Sequence, residues 1–376
     1  MAVHHTSIDM EFHDCTKCKK LCKKCIFKVP KVLRRQNSEA YTPDVVSIGP
    51  FHRRGKGRKG EKECEECKNC KKCKECKLCK KCKKGKEGNE EEFQLMERVK
   101  ESYLNEVFKG MMMSTEMLTA KVIELSDRKN EGTIGFEQRA RGFYAEPPLD
   151  ISSEEFIKMM IVDGCFLIQL FRKCNDPTLR DIEDPVFNMD CIFHFLCHDL
   201  LLLENQLPWF VLEILYSLII GNCCSHKPSL AFLILEAFIT LPSLKRSCDS
   251  YKQHLSSCHG SSNGEDVLHI LDLVRSSIVI PSKVKARKEN KVHEAMFDPE
   301  IHEMHTATAL SKAGIKFKGV KSDSIMDIQF ENGVFTFPQL NIGTLADSLF
   351  RNLIAFEQCY NGYSNEITSY AICLLQ

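Results

Sequence analysis

The sequence predicts a mainly α fold of the α+β kind, a helical body with a small antiparallel β element near residues 315–338. Three observations predict it. Several stretches place apolar residues at helical spacing. Ser152, with Glu155 three residues later, forms a capping-box signature ahead of an almost wholly apolar run. Finally, the alternating segments Ile315–Phe317, Ile325–Phe330 and Val334–Phe337 flank Glu331-Asn332-Gly333, and Asn-Gly is a pair that hairpin turns favour.

Residues 1–24 read as a flexible N-terminus. Residues 25–52 read as an extended, ordered segment, because Pro30, Pro43 and Pro50 and the β-branched Val45, Val46 and Ile48 oppose a long helix. Residues 53–92 are of low complexity, and an ordered pattern resumes at Phe93. From there Phe93, Met96, Val99, Tyr103, Leu104, Val107 and Phe108 line one helical face. A central helix is expected from Ser152 to about Cys174, because Met159, Met160, Val162, Cys165, Phe166, Ile168, Leu170 and Phe171 leave it little polar surface. Residues 186–220 form a second apolar helical region with a turn at Pro208, and residues 230–241 and 265–280 read as further helices. The polar span Ser243–Gly264 reads as a loop. A short helix from His302 to Ala313 stops at Gly314, and helix returns from Leu345 to Tyr360. Residues 25–376 are thus read as one domain interrupted by the 53–92 tract.

The chain has 376 residues, 43% hydrophobic and 27% charged, which is ample for a buried core. Its net charge of +1 hides an asymmetry: residues 53–88 hold sixteen Lys or Arg against six Asp or Glu. That tract is a polycation, and the rest of the chain is mildly acidic. Eleven of the 21 cysteines fall between Cys15 and Cys82, and the others are scattered, several of them in apolar runs where they read as small buried hydrophobes. Met1–Asp9 has no apolar stretch of the secretory kind, so the thiols are expected to be reduced and cytosol-facing. The most apolar stretch, Cys191–Ile220, is interrupted by His194, His198, Asp199, Glu204, Asn205, Gln206 and Pro208. A charge at the bilayer centre costs roughly 2.5–3.5 kcal/mol on insertion scales, so this stretch reads as two buried helices.

Six ordered blocks carry a likeness. Val29-Pro30, Leu33-Arg34, Asn37, Ala40-Tyr41, Pro43 and Val46-Ser47-Ile48-Gly49-Pro50-Phe51-His52 form the first, and Met160 with Asp163-Gly164-Cys165-Phe166 the second. Asp199-Leu200, Leu202-Leu203-Glu204-Asn205-Gln206-Leu207-Pro208-Trp209-Phe210-Val211-Leu212 is the most diagnostic. Ala309, Ala313-Gly314-Ile315 and Phe317 follow, then Asp327-Ile328 and Phe330, then Arg351-Asn352-Leu353-Ile354-Ala355-Phe356-Glu357-Gln358. Together they resemble the plant family called domain of unknown function 247, over residues 25–52 and 93–376. The resemblance implies a plant protein without established enzymatic activity, in a family with some relatives linked to pollen–stigma recognition. It also implies plasma-membrane attachment by a C-terminal helix beyond the region matching Ile367-Thr368-Ser369-Tyr370-Ala371. This chain carries no such helix, so a cytoplasmic or peripheral location is expected for it as given. The resemblance also marks the Lys/Cys tract as an insertion.

The tract supplies the metal-ligand candidates. Cys64, Cys67, Cys70, Cys73, Cys76, Cys79 and Cys82 recur at every third position, and Cys15, Cys18 and Cys22 add closely spaced thiols. Two thiolates at Cys-x2-Cys spacing can reach one tetrahedral centre, and zinc or Cu⁺ suits them. Zinc ribbons, however, separate their pairs by about 12–20 residues, whereas this repeat is unbroken and would spread its sulfurs around a helix. A slipped low-complexity repeat is the plainer reading. The basic residues of 53–88 suit an anionic membrane surface or sequence-blind phosphate contact, but no aromatic lies in 53–92 to stack a base, so no specific nucleic acid is expected.

His194 and His198 share a helical face but lack the glutamate of a His-Glu-x-x-His motif, so they read as satisfied core histidines. Glu204-Asn205-Gln206 and Asp163 read as structural polar residues, hydrogen-bonded where the helix breaks or to a neighbouring element. Gly55, Gly57 and Gly60 match a dinucleotide fingerprint by letter only. The functional expectation is non-enzymatic protein–protein recognition at or near a membrane. The alternatives are a thiol-rich metal-binding protein and an anionic-surface binder. No catalytic residue, small-molecule substrate or cofactor other than zinc is expected.

Overall fold

The computed structural model describes residues 24–53, 77–129, 134–147, 150–221, 228–257, 267–288, 305–322, 324–340, 343 and 345–375. Among them lie thirteen α-helices and one three-stranded sheet, so the fold is mainly α with a small sheet, as expected.

The central helix forms where the capping box predicts. Helix α5 is Ser153–Asn175, and the Ser152 hydroxyl accepts from the Glu155 backbone N–H. Fifteen of its residues are buried. Four earlier helices are α1 (Lys31–Arg34), α2 (Lys77–Met111), α3 (Thr115–Lys129) and α4 (Phe136–Gly142). Helix α2 packs along α5 through a face that includes Met96, Val99, Tyr103 and Val107. It starts at Lys77, sixteen residues before the expected resumption at Phe93. Lys, Glu and Leu are good helix formers, and Gly85 and Gly88 each cost only about 1 kcal/mol, too little to stop a helix anchored further on.

The second apolar region divides as expected into α6 (Asp190–Leu200) and α7 (Trp209–Ile220), with Pro208 at the N-cap of α7. Helix α8 is Leu230–Phe238, capped by Ser229. The expected loop over Ser243–Gly264 is overturned: α9 spans Lys245–Ser257 and packs on α10 (Ile270–Lys288). Its apolar stripe is only Leu244, Cys248, Tyr251 and Leu255, set among Lys, Arg and Ser, so its composition looks like a loop while its 4-3-4 spacing is helical. Helix α11 (Ala307–Lys312) ends at Gly314, whose φ of +92° is left-handed.

Strands β1 (Lys316–Val320), β2 (Gln329–Glu331) and β3 (Val334–Pro338) lie in the order β1-β3-β2. The β2–β3 hairpin is antiparallel, and Asn332 and Gly333 both take positive φ, 51° and 74°, as a primed turn requires. The expectation of a purely antiparallel element is corrected, because β1 pairs with β3 in parallel. The β1–β2 connection drops buried Ser324 and Ile325 onto the body, and the Ser324 hydroxyl donates to the Ile278 carbonyl of α10. The two strands it joins are therefore not neighbours. Helices α12 (Ala346–Cys359) and α13 (Glu366–Leu375) follow.

One contiguous hydrophobic cluster draws on residues from Cys25 to Tyr370. Cys25, Cys165, Cys197 and Cys248 are buried free thiols within it, and burial pushes Cys165 and Cys248 up to about 12, whereas Cys174, Cys359 and Cys373 are half-buried and Cys191, expected to be buried in its apolar run, is exposed near the start of α6. Among the described residues no helix is long and apolar enough to cross a membrane. Gly164 lets α5 approach α7 closely, because a Cβ there would collide with the buried Leu215 side chain. Gly164→Val is expected to destabilise the fold by about 1–3 kcal/mol through overpacking, read as a lower urea midpoint at unchanged slope.

Candidate functional site

The leading segment, residues 24–53, has little helix and pairs with no strand of the sheet. Its backbone polar groups still need partners once buried. At one point Ile26 bridges to Tyr144, and the Cys25 and Ile26 N–H groups both donate to the Phe143 carbonyl. Elsewhere side chains take the place of a partner strand, and most of them come from the end of α6 and the loop 201–208.

Asp199 holds three successive amides: Asp44 N–H donates to Oδ1, and Val45 and Val46 N–H donate to Oδ2, each at 2.8 Å. Asn205 accepts from Ile48 N–H at 2.7 Å and donates to the Val46 carbonyl at 3.1 Å. Asp163, on α5, accepts from Gly49 N–H at 2.9 Å and pairs with Lys100 of α2 at 2.8 Å, while Lys100 also donates to the Ser47 carbonyl. Only glycine fits at 49: its φ is +69°, and a Cβ would lie 2.9 Å from the Gln206 carbonyl oxygen.

Glu204 closes the other end of the segment. Its Oε1 accepts from Val29 N–H and the Arg34 guanidinium, both at 2.6 Å, and His52 Nε2 lies 3.2 Å from Oε2. Burial pushes its carboxyl up, but His52, the Val29 amide and Arg34 outweigh it and hold the group below the ordinary glutamate value. Gln206 donates to the Leu200 and Leu202 carbonyls, freed where α6 ends, and accepts from Leu271 N–H. Asn352 of α12 accepts from Leu203 N–H and donates to the Ala40 carbonyl. The structural reading of Glu204, Asn205, Gln206 and Asp163 therefore holds.

A second constellation was not visible in the sequence. His198 Nδ1 lies 2.9 Å from Asp199 Oδ1 and 3.3 Å from Asp44 Oδ2, and Nε2 lies 2.8 Å from the Ser348 hydroxyl. Its members come from the leading segment, α6 and the first turn of α12, so no local spacing could reveal it. Ser348, His198 and Asp199 follow the order of a hydrolase triad. The Ser348 hydroxyl, however, donates to the Ala40 carbonyl at 2.8 Å, so its proton points away from the imidazole that would have to remove it. His194 is half-buried on the same helix and does not join this cluster.

Of the thiol candidates, Cys15, Cys18, Cys22, Cys64, Cys67, Cys70, Cys73 and Cys76 lie outside the described residues, and Cys79 and Cys82 lie within α2. Residues 1–23, His302 and most of the basic tract also lie outside them, and His305 is exposed.

The Glu204 contacts carry a pH dependence. A carboxyl held below its unfolded value stabilises the fold above that value, near 4.3, and the contribution is lost as pH falls through the folded value. Glu204→Gln is expected to cost about 1.5–3 kcal/mol at pH 7, the scale of charged hydrogen bonds. It should also flatten the stability profile below pH 5, measured by urea unfolding at several pH values.

These contacts involve every one of the first three sequence blocks, and the comparisons with known proteins cover the same span. The domain of unknown function 247 family, described as plant protein of unknown function, matches residues 26–376. The chain is 27% identical to the UPF0481 protein At3g47200 of Arabidopsis thaliana, with 93% of this chain and 65% of that relative covered. The chain thus spans just under two thirds of that relative's length. No solved structure matches it. The match over nearly the whole chain, across the segment, its ladder and the sheet, means that the chain belongs to the plant domain of unknown function 247 family.

Proposed function

We propose that this chain is a non-enzymatic recognition protein that meets a protein partner through the aromatic face of its small sheet. The observation that carries the reading is the strand register. Phe317 of β1 stands opposite Phe335 of β3, and Phe330 of β2 stands opposite the same residue. With Phe337, two positions further along β3, they share one face of the pleat. Ring centroids are 5.0 Å apart for Phe335–Phe337, 5.2 Å for Phe330–Phe335 and 6.1 Å for Phe317–Phe335. Phe317 remains 41% and Phe330 54% exposed.

Grouped, exposed aromatics favour contact with another macromolecule, since rigid rings bury much area at small entropic cost. The buried carboxylates of Asp163, Asp199 and Glu204, by contrast, are engaged in holding the leading segment. A setting at or near a membrane comes from the family resemblance and belongs to the same proposal.

The test is crosslinking and capture from plant tissue, comparing wild type with Phe317→Ser/Phe330→Ser. Unchanged thermal stability with loss of the captured partner is the expected result. Equal capture by both proteins overturns the reading. A third arm replaces Cys64, Cys67, Cys70, Cys73, Cys76, Cys79 and Cys82 by Ser, which leaves α2 its length where excision of the tract would shorten it. If capture fails only in that arm, the thiol tract rather than the sheet is the functional element.

A further inference from the structure

We propose that Asp44, His198 and Asp199 form a binding site for a divalent transition-metal ion of the zinc class, fastening the leading segment to α6. The three side chains bring one ligand atom each to within 4.8 Å of one another. The inference rests on where the hydrogens must be. A serine hydroxyl has one proton, and that of Ser348 goes to the Ala40 carbonyl. His198 Nε2, 2.8 Å from the same oxygen, must therefore carry its own hydrogen and donate it. In the neutral ring Nδ1 is then a bare lone pair, and it faces carboxylate oxygens at 2.9 Å and 3.3 Å. Three lone-pair atoms at such separations call for a cation among them.

A second histidine shows the ordinary arrangement. His269 Nδ1 accepts the Asp272 N–H, and Nε2 donates to the Cys25 carbonyl, so one nitrogen faces a donor and the other an acceptor. Burial holds that ring neutral, with a pKa lowered to about 3. At His198 both nitrogens face acceptors.

The spacing favours a metal ion over a proton. Zinc bonds to nitrogen and oxygen at about 2.0–2.2 Å, which sets neighbouring ligand atoms about 3.0–3.4 Å apart for right-angled to tetrahedral geometry. The two observed edges fall just below and within that range, at 2.9 Å and 3.3 Å. The surroundings also suit ligation. Both Asp199 oxygens are oriented by backbone amides, and Asp44 N–H occupies only one side of Oδ1. The chain from Nε2 through Ser348 to Ala40 fixes the tautomer, as partners behind metal-bound histidines do. The Asp44 side chain is 48% exposed, which leaves a path for the ion and room for water at its remaining positions.

The test uses the full chain under reducing conditions, with all ten candidate thiols of the two clusters replaced by Ser to remove competing sulfur sites. Calorimetric titration with ZnCl₂ is expected to give one ion per chain. Co²⁺ should give weak visible bands without thiolate charge-transfer absorption. Asp44→Asn, at a half-exposed side chain, is expected to weaken zinc binding at least 10-fold while the protein stays folded, and His198→Gln should do the same. The thermal midpoint should rise with zinc in the parent and not in Asp44→Asn. Absence of saturable binding, or equal affinity in parent and Asp44→Asn, overturns the site.

Discussion

The fold depends on one constraint: a buried, non-helical segment must have its amides satisfied without a sheet to join. Asp44, Val45, Val46, Ile48 and Gly49 all donate to side chains of Asp199, Asn205 and Asp163. A buried amide left unpaired costs on the order of 1–3 kcal/mol, so the ladder is obligatory once the segment enters the core. It also explains why acidic and amide residues cluster inside the most apolar part of the chain. The carboxylate of Asp199 holds three amides where a neutral acceptor could hold two at most, and charged acceptors make the stronger bonds.

The same logic places the cations. Lys100 with Asp163, Lys173 with Asp184, and Arg275 with Glu357 are pairs of almost fully buried charges. Each has further partners: Lys100 reaches the Ser47 carbonyl, Asp184 accepts from the Tyr103 hydroxyl, and Glu357 accepts the Ile367 and Thr368 amides. Replacing a buried pair by apolar residues is often harmless, but removing one member strands the other at a cost of about 3–5 kcal/mol. The pairs join distant elements, α2 to α5, α5 to the 181–185 loop, and α10 to α12 and α13.

The sheet answers to different physics. Strands β1 and β2 are largely exposed and β3 is half-buried, and the connection to the body runs through Ser324, Ile325 and the guanidinium of Arg246, which donates to the Ser322 and Gln339 carbonyls. Aromatic stacking within one face takes the place of a covering layer. The turn was legible, because Asn332-Gly333 specifies its own geometry. The parallel pairing of β1 was not, because strand order is decided by where the intervening residues find a core. Helix α9 was hidden for a related reason: a sparse apolar stripe, Leu244 just before the helix and Cys248, Tyr251 and Leu255 within it, defines a helix only when a neighbour such as α10 is present to cover it.

Local patterns by themselves determined the central helix and its Ser152 cap, the break at Pro208 and the hairpin turn. Each is a matter of spacing or backbone preference within a few residues. The residue types of the ladder were also readable, since polar side chains in apolar surroundings must be hydrogen-bonded somewhere. Only the tertiary structure decided which amides they hold, and only it brought Asp44, His198, Asp199 and Ser348 together. Those residues sit on three elements far apart in the chain, and their meeting is set by packing, which no short-range periodicity encodes.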